Sequence, residues 1–187
     1  KDGAGNGFLN QVFDDNHFAI AGRTIDVAHA EALLGRAYNY NTGTVSLTQI
    51  INNGLLYAKN TGENPIVITG FFYLLGSAAT SGDILVRILR NPTSGTLISG
   101  GASATPVNRD FGSSSEATGV FLVGGDGDTV TDGVVAIESL FSSTGRQSII
   151  IGAVVLRKGN SMAITVKPAG NQDVQIASAF YESVLKI

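Results

Sequence analysis

The residue types that most often carry catalysis or bind transition metals are scarce in this chain. It has no cysteine and only two histidines, His17 and His29, both near its start. A thiol nucleophile is therefore impossible, and a zinc site of cysteine and histidine cannot be built from the remaining chain. A Ser-His-Asp arrangement around His29 and the nearby Glu31 would need partners that the sequence does not identify. We predict no catalytic residue, no metal site and no cofactor, so the protein is not expected to be an enzyme.

One short segment is similar to a metal-binding sequence. Gly124 to Asp128 reads Gly-Gly-Asp-Gly-Asp, like one unit of the calcium-binding Gly/Asp nonapeptides. Those sites form by stacking repeats that each supply part of the ligand shell, and here there is one copy. The other interpretation is a hairpin loop, in which glycine adopts positive φ and aspartate accepts hydrogen bonds from its own backbone. The loop is favoured, and calcium binding stays open.

Carboxylates from distant strands can also form a glycosidase site, and a few side chains bear on that possibility. The chain has no tryptophan to stack on a sugar ring. Its tyrosines are interpreted as core or interface residues, namely Tyr38, Tyr40, Tyr57 and Tyr73. Arg87 and Arg90 flank a predicted strand, and Arg109 stands beside Asp110. Local ion pairs or subunit contacts are expected for these arginines before substrate binding.

Length and composition set the class of protein. With 187 residues the chain can bury one sizeable core, so we expect one domain with an arm. The formal net charge of -3 provides no basic excess for phosphates, which argues against nucleic-acid binding. No apolar run is long enough to span a membrane, and residues 1–7 lack the pattern of a signal peptide. The chain starts at Lys1 rather than Met, so whether further residues precede it stays open.

The C-terminal third has the clearest strand pattern. Three apolar segments, Ser148–Leu156, Ser161–Lys167 and Asp173–Tyr181, are separated by turn sequences at 157–160 and 168–172. Apolar residues alternate along each segment, which predicts an antiparallel meander. Polar residues at the other positions indicate faces nearer to water, namely Thr165, Gln175 and Glu182.

Further strands are predicted upstream. Apolar alternation between turn signals predicts strands at Thr44–Ile51, Leu55–Lys59, Ile66–Leu75, Asp83–Arg90, Val120–Val123 and Val130–Leu140. A short continuation at Thr96–Ile98 is expected to be extended. Gly100 to Ser115 has almost no periodicity and is expected to be a long loop that carries contacts. The total indicates an all-β, antiparallel two-sheet sandwich.

The N-terminal region differs from the rest of the chain. Asp26 to Leu34 is alanine-rich and predicts a short helix, which Asp26 can cap and Gly35 can end. Residues 1–37 are interpreted as an arm or anchor, and residues 38–187 as the sandwich domain. The other interpretation of the arm is an extended segment that orders only against a neighbour.

Five segments are familiar together: Tyr38–Thr44, Leu56–Asn60, Leu89–Thr96, Val107–Ser114 and Val155–Ser161. They resemble turn-and-strand segments of jelly-roll head-decoration (cement) proteins and related virion surface proteins of tailed phages. The resemblance runs in order from about Tyr38 to Phe180. It implies a single jelly roll, assembled as a homotrimer, that binds the major capsid protein lattice on the outer surface of the virion.

The expected function follows from that resemblance. It is a non-enzymatic structural protein that decorates and stabilises a phage capsid through multivalent contacts. The change in sequence pattern near Tyr38 further predicts that Phe8 to Gly35 reaches to the capsid or to a neighbouring subunit. The alternative is a head- or tail-fibre receptor-binding module that recognises a cell-surface glycan through the loops Gly100–Ser115 and Gly124–Asp128. A carbohydrate-active enzyme is the third possibility, which the absence of tryptophan and the scarcity of histidine disfavour.

Overall fold

The structure is a computed structural model that describes residues 11–12, 18–19, 27–76, 82–141, 145–149 and 154–183. Helices α1 and α2 span Val27–Leu33 and Thr96–Gly100. Sheet 1 contains, in spatial order, β11 (Gly145–Ile149), β5 (Ile66–Leu75), β14 (Gln172–Glu182), β3 (Ala37–Leu47) and β8 (Val107–Asn108), and β12 (Val154–Leu156) also pairs with β5. Sheet 2 contains β10 (Val134–Phe141), β6 (Ile84–Arg90), β13 (Ser161–Lys167), β4 (Asn53–Lys59), β9 (Val120–Val123) and β7 (Ala102–Ser103). A separate pair joins β1 (Gln11–Val12) to β2 (Phe18–Ala19).

The strand pairs are nested, as in a long hairpin that has been folded over on itself. β3 pairs with β14, β4 with β13, β5 with β11 and β12, and β6 with β10, all antiparallel. Successive pairs fall alternately in sheet 1 and sheet 2. These pairs form the jelly-roll core of two four-stranded sheets, in which β11 and β12 share one position, and β7, β8 and β9 extend the sheets. The all-β, antiparallel two-sheet jelly-roll sandwich predicted from the sequence is confirmed.

The core lies between the two sheets and is built from alternate residues of each strand. Sheet 1 contributes side chains such as Phe71, Val174 and Ile176, and sheet 2 contributes Val86 and Ile164, all buried. Four aromatic rings form a row across one end of this core, in the order Tyr38, Phe180, Phe121 and Tyr40, with centroids 5.3–5.4 Å apart. The four tyrosines named above are buried, so the core interpretation holds for them.

Two of these tyrosines differ in how their hydroxyl groups are satisfied. Tyr40 Oη donates to the carbonyl of Tyr57 at 3.0 Å and also lies close to the carbonyl of Leu122. Tyr73 Oη is equally buried and has no hydrogen-bond partner among the described residues. Burial raises the pKa of both hydroxyls, so both are neutral. The two side chains therefore form a matched pair for mutation.

We expect Tyr40→Phe to lower the free energy of unfolding by about 1–2 kcal/mol, because it leaves a buried carbonyl without its donor. Tyr73→Phe removes an unpaired polar atom, so we expect no loss and a gain of up to about 1 kcal/mol. Urea unfolding of both variants measures the contrast. An equal loss in both variants would contradict the assignment of the hydroxyl partners.

The connection between β6 and β10, residues 91–133, adds strands to both sheets and covers part of sheet 2, which the sequence pattern did not indicate. It contributes β9 and β7 beyond the edge of β4 in sheet 2, and β8 beyond the edge of β3 in sheet 1. Such additions protect sheet edges that otherwise pair with other chains. The connection also lies against the outer face of sheet 2, where Leu97 packs with Tyr57, Leu89 and Ala163 in a second small core.

This second core explains two corrections. Thr96 to Ile98, expected to be extended, form the start of α2, because Leu97 is drawn into the apolar layer over sheet 2. Thr165 was expected near water but is only 1% exposed, because its outer face of sheet 2 is covered. The predicted strand at Ser148–Leu156 is present as β11 and β12, with residues 150–153 outside the described part of the chain.

Candidate functional site

Helix α1 lies at one end of the sandwich, against β3 and β14. At seven residues it is too short to be stable alone, so its order depends on this packing. Its end is marked by Gly35 at φ +66°, whose N–H donates to the carbonyl of Ala32 at 3.0 Å. The predicted helix is thus present, and its predicted cap Asp26 lies outside the described residues.

The long loop predicted at Gly100–Ser115 holds the end of this helix. Asn108 Nδ2 donates to the carbonyl of Gly35 at 2.8 Å and to that of Ser115 at 3.1 Å. Tyr38 Oη donates to the same Gly35 carbonyl at 3.2 Å. A Cβ atom at Gly35 would lie 2.4 Å from Ser113 Oγ, so the loop and the helix end fit closely. Two segments that the sequence marked separately as contact regions are therefore neighbours.

Together these segments present a surface that we call the end patch. It surrounds an open cavity of about 380 Å³ and consists of His29, Ala32, Leu33, Arg109, Asp110 and Phe111. Phe111 is 91% exposed and Leu33 65% exposed, and Leu34 next to it is 61% exposed. Single exposed apolar side chains are common, but large ones gathered around one concavity are typical of interaction sites. The end patch is the strongest candidate for a docking surface.

Arg109 and Asp110 of the end patch do not form the ion pair that their adjacent positions allow. Asp110 accepts a hydrogen bond from the N–H of Gly112 at 3.0 Å, and no ion pair joins it to Arg109 within the described ranges. The local pair considered for these two residues is therefore absent. By contrast, Arg87 makes the expected local ion pair, with Nε 2.6 Å from Glu138 Oε2. Arg109 is an exposed cation beside exposed apolar groups.

A buried charge cluster lies behind the end patch, where α1 meets β3 and β14. Arg36 Nε is 2.8 Å from Glu31 Oε2, but the N–H is poorly aimed, so the contact is an ion pair without a hydrogen bond. Glu182 Oε1 accepts a hydrogen bond from the N–H of Thr118. Glu182 was expected near water, yet it is only 6% exposed. The correction arises because α1 and the 91–133 connection both close over the end of β14.

Burial raises the pKa of Glu182, while the hydrogen bonds from Thr118 and the charge of Arg36 oppose the shift. The folded protein therefore binds this proton more tightly than the unfolded chain. The stabilisation is present near pH 4.5, the ordinary value, and is lost as the pH rises through the raised pKa. We expect the stability of the native protein relative to Glu182→Gln to fall from about pH 4.5 towards neutral pH.

Urea unfolding at a series of pH values measures this difference. Glu63→Gln is the control, because Glu63 forms an exposed ion pair with Lys158. A stability difference between the native protein and Glu182→Gln that rises with pH would contradict the raised pKa.

The Gly124–Asp128 segment forms a loop whose carboxylates are engaged by neighbouring donors. Asp126 accepts hydrogen bonds from the N–H groups of Thr48 at 2.9 Å and Gln49 at 3.0 Å, and Asp128 accepts from Gly125 N at 2.8 Å. The hydroxyl of Thr48 is the main group that lowers the pKa of Asp126. Gly127 has φ +87°, as the loop interpretation requires. In the described part of the chain, no three acidic or histidine side chains gather in a possible metal site.

The remaining candidates are placed as follows. His29 lines the end patch, and His17 lies outside the described residues. Neither described helix has the length and apolar content needed to cross a membrane.

Asp132 was not identified as a site residue from the sequence. Its carboxylate accepts hydrogen bonds from the N–H groups of Thr93 and Ser94 at 2.8 and 3.0 Å, and the residue lines a cleft on sheet 2.

A scan of the chain against protein-family models and a search of curated proteins both found no match.

Proposed function

We propose that this chain is a non-enzymatic virion structural protein that decorates and stabilises a phage capsid. It binds as a homotrimer to the lattice of the major capsid protein, on the outer surface of the virion. The observation that carries the proposal is the end patch, which exposes Leu33 and Phe111 beside polar groups and is tied to the jelly roll by hydrogen bonds at Gly35. The resemblance of the Tyr38–Phe180 region to virion surface proteins of tailed phages supports the same function.

The end patch is suited to weak docking that multivalency strengthens. Full burial of a Leu or Phe side chain contributes about 1.5–3 kcal/mol, and Leu33 and Phe111 are mostly exposed in the free protein. Such a small surface alone gives a weak contact, because association also costs translational and rotational freedom. Three linked copies increase the apparent affinity by about 10² to 10⁴ when their geometry matches the lattice. A trimer therefore makes a modest patch sufficient.

The edge of sheet 2 supports self-association. β10 pairs with β6 on one side, and its other edge has no strand partner among the described residues. Its side chains Val134 and Leu140 are exposed, so this edge offers apolar contacts as well as unpaired backbone groups. The strand also has a bulge between Val135 and Ile137 and carries the charged Glu138. A neighbouring subunit can cover this edge in a ring of head-to-tail contacts.

The proposal is tested by adding the purified protein to heads that lack it and measuring the bound fraction. We expect Leu33→Asp and Phe111→Asp each to weaken binding at least about tenfold while the melting temperature stays unchanged, because both side chains are solvent-exposed in the free protein. Ile50→Asp is the matched control, an exposed apolar residue outside the end patch. Unchanged binding of both patch variants would overturn the proposal.

The role of the N-terminal arm is tested by two truncations. The anchor proposed for Phe8 to Gly35 includes α1, which packs on the sandwich and buries Glu31. Removal of residues 1–26 keeps these contacts, so the protein should fold and lose attachment. Removal of residues 1–37 also deletes Arg36 and its ion pair, so its stability should fall. A protein without residues 1–26 that still saturates heads would contradict an anchor in that segment.

Copy number separates decoration from the receptor-binding alternative. A lattice-covering protein should approach the copy number of the major capsid protein in purified virions, whereas a fibre module should be far less abundant. The glycan loops considered for the alternative have other contacts, since 100–115 holds α1 and the Gly124–Asp128 carboxylates accept local hydrogen bonds. Glycan-array binding without binding to heads would favour the alternative.

A further inference from the structure

A polar cleft lies on the outer face of sheet 2, and it shares no residue with the end patch. It has a volume of about 170 Å³ and is lined by Asn52, Arg87, Leu89, Val130, Thr131, Asp132, Gly133 and Thr165. The floor comes from β6 and β13, and one wall comes from the end of the 91–133 connection. Four separate segments of the chain therefore meet around one small space.

Two oxygen atoms at this cleft lack a hydrogen-bond partner among the described residues. They are Thr165 Oγ1 and Asn52 Oδ1, which belong to residues that line the cleft, and both atoms are themselves shielded from solvent. Thr165 is 1% exposed as a whole residue. Buried polar atoms in folded proteins are nearly always paired, so each unpaired atom calls for an explanation. Two such atoms on the lining of one polar cleft indicate a place where an added group supplies the missing bonds.

The other residues that line the cleft supply hydrogen-bond donors, a hydrogen-bond acceptor and apolar surface. Arg87 lies directly opposite Thr165 in the β6–β13 pairing, so the two side chains are neighbours on the same face. Within the described ranges, Arg87 is paired through Nε with Glu138 at 2.6 Å, and the guanidinium carries further N–H donors. Asp132 is held by Thr93 and Ser94 and is an acceptor. Leu89 and Val130 supply apolar surface.

We propose that this cleft binds a neutral, hydroxyl-rich ligand, namely a single sugar unit. Asn52 Oδ1 requires a hydrogen donor, which an anion does not provide. Asp132 already accepts hydrogen bonds from Thr93 and Ser94, and its negative charge disfavours an anion in the cleft. Arg87 requires an acceptor, and Thr165 can do either. A hydroxyl group donates and accepts, and the C–H face of a sugar ring suits Leu89 and Val130. A closed cavity of about 150 Å³ can bind benzene, so this open cleft of about 170 Å³ has room for part of one sugar ring.

Access to the floor of the cleft requires a small movement of Arg87. Its ion pair with Glu138 is partly exposed on both sides, and exposed pairs contribute little to stability. Rotation of the Arg87 head towards the ligand uncovers its neighbour Thr165 and brings the unused N–H donors into the cleft. The movement is confined to one long side chain on a rigid strand.

The test is a titration of the ¹⁵N-labelled full chain, followed by backbone amide shifts, with glucose, galactose, mannose and N-acetylglucosamine in turn. At about 0.3 kcal/mol for each non-hydrogen atom, a single sugar is expected to bind with a dissociation constant on the order of 1 mM, so the titrations must extend well above that. We expect at least one sugar to shift the amides of residues 87, 165 and 130–133. We expect Thr165→Val and Asn52→Ala each to weaken this binding at least about fivefold.

Thr44→Val is the matched control, the same chemical change on the exposed face of β3 in sheet 1, and it should leave the affinity unchanged. Thr165→Val should remain folded, because it removes an unpaired hydroxyl. Absence of any shift with all four sugars overturns the proposal, as does an affinity that Thr165→Val leaves unaltered. Stronger shifts with acetate or phosphate than with any sugar would also overturn it, since the cleft would then be an anion site. The proposal holds whether or not the chain decorates a capsid.

Discussion

Gly95→Ala is expected to lower the free energy of unfolding by at least about 3 kcal/mol, enough to prevent folding of many domains. Gly95 has φ +129°, a conformation that is essentially restricted to glycine. A Cβ atom there would also lie 2.2 Å from the carbonyl oxygen of Thr129 and 2.8 Å from Val130 Cα. Both obstacles are backbone atoms, which cannot rotate away as a side chain does.

The consequence extends beyond one residue, because Gly95 precedes α2 and sets the path of the 91–133 connection. Leu97 in α2 donates its N–H to Thr129 O at 3.2 Å and packs in the second small core. Displacing the segment would expose that core and the outer face of sheet 2. Gly100→Ala is the matched control, because no atom lies within 4 Å of its added Cβ. A Gly95→Ala protein within about 1 kcal/mol of the native one in urea unfolding would show that this backbone geometry is wrong.

Asn60→Ala is expected to cost about 2–4 kcal/mol. Asn60 is fully buried and uses its whole amide, with Nδ2 donating to the carbonyls of Asn64 and Leu156 at 2.8 Å. Its Oδ1 accepts from the N–H of Gly62 at 2.8 Å. The side chain thus connects the β4–β5 turn to the end of β12. Alanine leaves three backbone groups without partners, and an unpaired buried group is costly to leave in place.

Asn64→Ala provides the control for this position. Asn64 is exposed in the same turn and contributes only its carbonyl to Asn60, so its side chain should be dispensable to within about 0.5 kcal/mol. Chemical unfolding and melting temperature measure both variants. A cost for Asn60→Ala no larger than that for Asn64→Ala would contradict the hydrogen bonds described.

The candidate docking surface was only partly visible in the sequence. The helix near residues 26–34 and the long loop at 100–115 were each recognisable, since one is alanine-rich and the other lacks periodicity. Their meeting through Asn108 and Gly35 was not recognisable, because residues so far apart in sequence carry no local sign of contact. The polar cleft was invisible for the same reason, since it is built from four separate segments.

Local patterns by themselves determined the β class, most strand positions and the turns. Alternation along β6 and β14 and the glycine and aspartate of the Gly124–Asp128 loop act over a few residues, so they can be read directly. Composition alone also showed that the residues most often used in catalysis and metal binding are few, since the chain has no cysteine and two histidines.

The tertiary structure alone decided which faces of the strands meet water and how the strands are nested. Thr165 and Glu182 have the polarity of exposed positions, but the 91–133 connection and α1 cover them. Leu97 begins a helix rather than extending a strand, because an apolar layer outside sheet 2 accepts its side chain. The physical reason is the same in each case. Burial of a strand face depends on whether a distant segment of the chain packs over it, and the residues of the strand do not indicate whether such a segment is present.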